Sequence, residues 1–316
     1  MKIVYLGSGD FGIESLNVLA GSQHSLELIV TQPPAPAGRG RKYRPTPVAK
    51  WAGQHCVAFI EPPNINALEV IEQIGAFKAD LIVVAAFGQK IGSEIISMAP
   101  KGIINAHASL VPKYRGAAPI NWAIINGDSE TGVSIITVVE EIDSGDILAQ
   151  VKTNIGLDET AGQLGDRLAK LAGPLLLDTI EAIGRNNATY ARQEHSNATP
   201  AAKLKKSDGF LDFSESAGDL RNRIRGLWPR PGASAVYTSS KMGKSQQVTI
   251  AMAEVVEHDN PSALETGVLD ANLDVICGKD ALRITSIKPS GGSIMDFRSF
   301  TNGRQTSSGD VFTKIK

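Results

Sequence analysis

The run Leu81-Ile82-Val83-Val84-Ala85-Ala86 is apolar at every position. Successive side chains of a strand point to opposite faces, so a strand without a polar side must be covered on both. Sheets meet that condition when helices connect their strands and pack on each face. The same character recurs in Ile3-Val4-Tyr5-Leu6, Leu28-Ile29-Val30 and Ile103-Ile104, with helix-like segments at 13–20, 48–54 and 67–75 between them. Apolar strands alternating with helices predict an α/β fold, a doubly wound and mostly parallel sheet of Rossmann-like form. Ligands of such sheets bind beyond the carboxyl ends of the strands. Phe87-Gly88 and Asn105-Ala106-His107 fall there.

The pattern then changes. A helix at 119–126 and a β-branched strand at 132–139 lead to Asp143 in a Ser-Gly turn, a return strand at 147–153 and an apolar helix at 160–184. From Ala233 onward short β runs alternate with Gly, Asn, Asp and Pro turns, as in a small OB-like β-barrel. With 316 residues, more than one domain usually holds, the expected division is a catalytic domain at 1–187, a linker at 188–204 and a barrel domain at 205–316.

Composition excludes several classes. No run approaches the roughly 18 apolar residues of a membrane span, and the chain enters a strand at once, without the regions of a signal peptide. Cys56 and Cys277 stand far apart with no CxxC pattern, which suits a reduced, cytoplasmic setting. His24, His55, His107, His195 and His258 form no ligand spacing, so no metal is expected. Residues 1–200 carry 16 lysines and arginines against 20 acids, and residues 201–316 carry 16 against 13. The C-terminal excess permits a polyanionic partner without requiring one.

Two motifs invite binding hypotheses. Gly7-Ser8-Gly9-Asp10-Phe11-Gly12 after a strand matches the dinucleotide fingerprint. The second strand, however, ends in Thr31-Gln32-Pro33-Pro34 and not in the acid that would hold ribose hydroxyls. The glycines therefore read mainly as room for a tight strand-to-helix turn. The long loop at 33–47 carries Arg39, Arg41, Lys42 and Arg44 around Tyr43. It reads either as a solvated loop or as a clamp for a phosphate backbone.

The chemistry concentrates at Asn105, His107 and Asp143. Residues two apart on a strand point the same way, so the amide and the imidazole share a face. Asp143 arrives at the end of another strand, where it can orient the imidazole. Amide donor, proton carrier and carboxylate suit acyl transfer through a tetrahedral intermediate. Ser109 is near, yet no GxSxG elbow surrounds it, so a serine hydrolase is not expected.

Asn105-x-His107-x-Ser109-Leu110-x-Pro112 with Tyr114-Arg115-Gly116 and Asp143-Ser144-Gly145-Asp146 resembles the folate-dependent formyltransferases. Pro36-Ala37-Gly38-Arg39-Gly40 in the 33–47 loop, Lys203-Leu204-Lys205-Lys206 and Pro229-x-Pro231-Gly232-Ala233 resemble the branch that acts on an aminoacylated tRNA. The resemblance implies 10-formyltetrahydrofolate as formyl donor and initiator methionyl-tRNA as acceptor, with a monomeric enzyme expected. It implies Asn105, His107 and Asp143 as catalytic residues, and Phe87, Gly88, Ser109, Leu110, Val111 and Pro112 beside the folate. Arg39, Arg41, Lys42, Arg44, Lys203, Lys205 and Lys206 would meet the tRNA. The rival readings are a formyltransferase for a small amine, such as a sugar nucleotide or glycinamide ribonucleotide, and a nucleic-acid-binding module with an inactive α/β domain. The chain departs from the family at Trp228-Pro229-Arg230 and in its first glycine turn.

Overall fold

The computed structural model describes residues 1–37, 40, 42–258 and 265–315. The chain divides into two units. The first comprises residues 1–119, 130–154 and 165–202; the second comprises 120–129, 155–164 and 203–316. Among the described residues no helix is long and apolar enough to cross a membrane.

In the first part of the chain, β1 (Lys2–Gly7), α1 (Ile13–Ala20) and β2 (Ser25–Val30) open the fold. A hairpin of β3 (Ala35–Ala37) and β4 (Lys42–Arg44) follows, then α2 (Pro47–Gln54), β5 (Phe59–Ile60), α3 (Leu68–Gly75) and β6 (Leu81–Ala85). Next come α4 (Ser93–Ile96), β7 (Ile103–His107), β8 (Arg115–Gly116), α5 (Pro119–Ile125), β9 (Glu130–Thr137), β10 (Ile147–Asn154), α6 (Ala161–Gly184) and β11 (Pro200–Ala201). The main sheet runs β10-β9-β7-β6-β1-β2-β5. Its pairs from β5 to β7 are parallel, while β9 and β10 add an antiparallel edge. All five residues of β6 are buried, as its unbroken apolar sequence predicts. From β1 the chain builds outward to β2 and later returns to place β6 on the other side, so the strand order reverses there.

The first glycine turn packs around a side chain of the strand that leads into it. The Tyr5 hydroxyl donates to the carbonyl of Gly12 at 2.9 Å. A Cβ on Gly7 would lie 2.5 Å from the Tyr5 ring, and one on Gly12 would lie 2.5 Å from its hydroxyl. Gly7 and Gly12 make room for a buried tyrosine of the same chain, while a Cβ on Gly9 would meet Ala86.

Two segments hold more structure than their sequence suggests. The basic loop contains the β3–β4 hairpin, with Ala35 opposite Arg44, Pro36 opposite Tyr43 and Ala37 opposite Lys42. Lys42, Tyr43 and Arg44 are all exposed, so the ribbon shows no apolar period to read. Residues 188–202, within the expected linker at 188–204, are bonded to the first unit: Ala191 exchanges two backbone hydrogen bonds with Ile147, and β11 pairs with β8.

In the second unit, the Ser216 hydroxyl accepts from the Asp219 amide and caps α7 (Ala217–Leu227). Antiparallel strands β12 (Ala233–Thr238), β13 (Ser245–Val256), β14 (Val275–Ile276), β15 (Ala281–Pro289), β16 (Met295–Asp296) and β17 (Val311–Thr313), with α8 (Phe297–Arg304), complete it. The sheet order is β14-β15-β13-β12-β17, with β16 beside β15. Bridges Leu269–Val275 and Val268–Val311 connect the two edges, so the sheet nearly closes into the expected barrel. Tyr237 packs inside it against Phe300 and Phe312, at ring separations of 5.1 and 5.3 Å. The fully buried Asp310 takes bonds from the Tyr237 hydroxyl at 2.6 Å, the Ser240 hydroxyl at 2.7 Å and the amides of Ser240 and Ser307.

Candidate active site

Strand β7 ends in Asn105 and His107, which its pleat turns to one side. Both reach the same carboxylate. Asn105 Nδ2 donates to Asp143 Oδ1 at 3.1 Å, and His107 Nδ1 stands 3.5 Å from Asp143 Oδ2. The Gly116 amide donates to that second oxygen at 2.9 Å. The three residues singled out in the sequence thus come together, and Asp143 is their hub. Its side chain is 13% exposed and that of His107 6%, so the cluster is largely shielded from solvent.

A second orienter of the ring was not visible in the sequence. His107 Nε2 lies 2.8 Å from the backbone carbonyl of Tyr114. A carbonyl only accepts, so Nε2 carries a hydrogen, and Nδ1 is the ring atom left facing the carboxylate. Asp143 and Tyr114 both hold left-handed backbone, at φ 51° and 60°, and Ala86 at the end of β6 does so at 48°. Such conformations cost non-glycine residues roughly 1–3 kcal/mol each and persist where surrounding bonds fix them. In the Asp143 turn, Asp146 bonds to Thr137 through both its amide and its carbonyl. Gly145 fits there because a Cβ would run into the Thr137 carbonyl oxygen.

The 109–112 turn is held by its own hydrogen bonds. Ser109 Oγ donates to the Lys113 carbonyl at 2.7 Å and is buried, which explains why no nucleophile is built around it. Ser134 Oγ donates to the Ser109 carbonyl and accepts from the Val111 amide. Val111 is buried, while Leu110 and Pro112 are half-buried. Phe87 sits in the apolar core beside β6, and its carbonyl accepts from Ser8 Oγ and Gln32 Nε2. Gly88 is exposed, with φ 84°. Among the positions expected beside the folate, the side chains of Phe87, Ser109 and Val111 are thus committed to the protein interior, and backbone groups are what these three offer.

The basic residues fall in both units. Lys42 and Arg44 are exposed two apart on β4, sharing one face of the hairpin. Arg39 and Arg41 lie outside the described residues. Lys203, Lys205 and Lys206 are exposed at the start of the second unit's long segment. Among the described residues no three His, Cys, Asp or Glu side chains are placed to hold a metal ion.

An α/β sheet with an amide–imidazole–carboxylate cluster at a strand end, followed by a barrel, defines a class. Residues 1–180 match the formyl transferase domain and residues 203–305 the formyl transferase C-terminal domain, so the chain belongs to the formyl transferase family. It is 37% identical over 314 residues to the methionyl-tRNA formyltransferase of Alkaliphilus oremlandii, covering 98% of this chain and 99% of that protein. It is 38% identical over 318 residues to the methionyl-tRNA formyltransferase of Symbiobacterium thermophilum, covering 99% of this chain and 95% of that one. Among solved structures, the sugar 3N-formyl transferase WlaRD, in the presence of dTDP and 5-N-formyl-THF, has a TM-score of 0.64 at 16% identity. The match covers 90% of this chain and 97% of that chain. HypX from Aquifex aeolicus in complex with tetrahydrofolic acid also gives 0.64 at 16% identity, over 95% of this chain and 47% of that chain. At such identity these two establish the shared fold alone.

Proposed function

We propose that this enzyme transfers the formyl group of 10-formyltetrahydrofolate to the α-amine of initiator methionyl-tRNA in the cytoplasm. The observation that carries the reading is the meeting of Asn105 Nδ2, His107 Nδ1 and Asp143 in one cluster. Full-length relatives named for that reaction support the acceptor. The folate supplies the formyl carbon, and the strand ends at Phe87-Gly88 and the 109–112 turn are where it would lie.

In this reading the methionyl amine adds to the formyl carbon, and the formyl oxygen takes up the negative charge. One Nδ2 hydrogen of Asn105 is committed to Asp143, and the other is free to point at that oxygen. His107 Nδ1, the ring atom not tied to a backbone carbonyl, moves the proton from the attacking nitrogen toward the folate nitrogen as its C–N bond breaks. Asp143 fixes both side chains and stabilises the ring while it is cationic. Lys42 and Arg44, with Arg39 and Arg41, would meet the phosphates of the acceptor stem, and Lys203, Lys205 and Lys206 further backbone.

The test is formyl transfer to methionyl-tRNA, a sugar nucleotide amine and glycinamide ribonucleotide, side by side. Formyl-methionyl-tRNA is the expected product. His107→Ala should lower the single-turnover rate by about 10²–10⁴, the usual contribution of a positioned side chain that carries the proton. A folded His107→Ala enzyme with near-normal single-turnover rates would overturn the catalytic assignment. Transfer to a small amine with none to tRNA would overturn the acceptor.

A further inference from the structure

We propose that Gln193 is a positioning residue for formyl transfer, bracing the turn that presents Asp143; the inference rests on the catalytic reading of Asp143 given above. Gln193 stands 50 residues beyond Asp143 in a segment with no apolar period, and nothing in its sequence surroundings marks it. Its side chain is nevertheless buried. Nε2 donates to the carbonyl of Asp143 at 2.9 Å and to that of Gly145 at 2.7 Å. Oε1 accepts from Arg115 Nε at 3.1 Å and Arg115 Nη2 at 2.9 Å. Every donor and acceptor position of the amide is used. Its orientation is also unambiguous, because the reverse would set an oxygen against two carbonyls and an NH₂ against a guanidinium.

The amide joins the two backbone segments that converge on the Asp143 carboxylate. On one side it ties down the carbonyls flanking the left-handed turn. On the other it holds Arg115, whose next residue, Gly116, donates its amide to Asp143 Oδ2. Arg115 also reaches Glu141 at the start of the same turn, at 3.5 Å. Gln193 is anchored in turn by the two backbone bonds between Ala191 and Ile147, just past the turn. A residue in left-handed backbone returns to a commoner conformation once its bonds are lost. For Asp143 that return would carry the carboxylate away from Asn105 and His107.

Gln193→Glu is the discriminating change, since it keeps the size of the side chain and its acceptor for Arg115 but replaces the donor with an oxygen. Gln193→Ala removes both interactions and guards against an effect particular to the new charge. The full-length enzyme is assayed with methionyl-tRNA and 10-formyltetrahydrofolate, and each variant is checked by circular dichroism. Expected is a fall in kcat of about 10- to 100-fold, the scale of a misplacement near 1 Å, with the KM of each substrate within about twofold. Combined with Asp143→Asn, which is itself slow, Gln193→Glu should cause no further loss, because a group acting through Asp143 has nothing left to position. Losses that multiply in the double variant overturn the brace, as does a Gln193→Glu enzyme with normal kcat or with raised KM alone; in each case the reading of Asp143 stands. An Asp143→Asn enzyme as fast as the parent overturns both.

Discussion

Replacing Asn105 by Asp changes almost no volume and reverses one interaction. The Asn105 amide nitrogen stands 3.1 Å from Asp143 Oδ1 as a donor. A carboxylate in its place faces another carboxylate at that separation. With an effective dielectric of about 20, two unit charges at that distance repel by about 5 kcal/mol, equivalent to roughly four pH units of proton binding. Partial solvent access at Asp143 reduces the figure without reversing it. The pair therefore holds one proton to higher pH than either carboxyl would alone, as in other close carboxyl pairs. Two measurements follow. In single-turnover transfer the variant should be slower than the parent by about 10²–10³, since the oxyanion has lost an amide donor. Its rate should also fall further as rising pH removes the shared proton. In thermal melts between pH 5 and 9, the folded variant binds a proton that the unfolded chain has released, so its stability relative to the parent should decline as pH rises. A variant matching the parent in rate and in both pH profiles would refute the claim that Asn105 donates to Asp143 at the reacting centre.

Asp310→Asn should destabilise the barrel unit by about 3 kcal/mol at neutral pH, because an amide cannot accept from all four donors now around the carboxylate; calorimetry of the full chain reads this. Burial alone would raise the Asp310 carboxyl, but the Tyr237 and Ser240 hydroxyls and the Ser240 and Ser307 amides together hold it below the ordinary carboxylate range. Its contribution is thus complete above about pH 4, the unfolded value, and is lost as pH falls through the lower folded one, a component of acid sensitivity that Asp310→Asn should lack. Replacing Lys42 and Arg44 together by Ala should weaken use of methionyl-tRNA and flatten its salt dependence by up to about 0.9 for each phosphate no longer neutralised, while folate binding is unchanged; a KM for tRNA and a salt slope equal to the parent's would remove the hairpin from the acceptor site.

What could be read in the sequence was whatever local periodicity enforces. Strand β6 is legible because both its faces are covered, and Asn105 and His107 are legible as a pair because a strand alternates with period two. The hub role of Asp143 was not, since its bond to Asn105 spans 38 residues and needs an aspartate in left-handed backbone, which no spacing announces. The β3–β4 hairpin escaped because a ribbon exposed at Lys42, Tyr43 and Arg44 carries no burial pattern. The grouping of residues 120–129 and 155–164 with the barrel depends on hydrogen bonds such as Asn121 Nδ2 to the Gly226 carbonyl and Arg225 to the Gly156 carbonyl. Segments paired by side-chain bonds to distant backbone leave no trace in local composition, and Gln193 is invisible for the same reason.

The ring of Tyr5, set between Gly7 and Gly12, makes three positions share one fixed volume. None of them is free to change alone: a methyl at 7 or 12 displaces the ring, and a smaller residue at 5 leaves a void that Gly7 and Gly12 have no side chain to fill. Room given up at one position has to come from another, so the tolerated replacements are paired ones, with bulk added at a glycine only as it is removed at Tyr5. The turn that opens this fold is in that sense a closed packing unit, and its glycine spacing records the shape of an internal side chain.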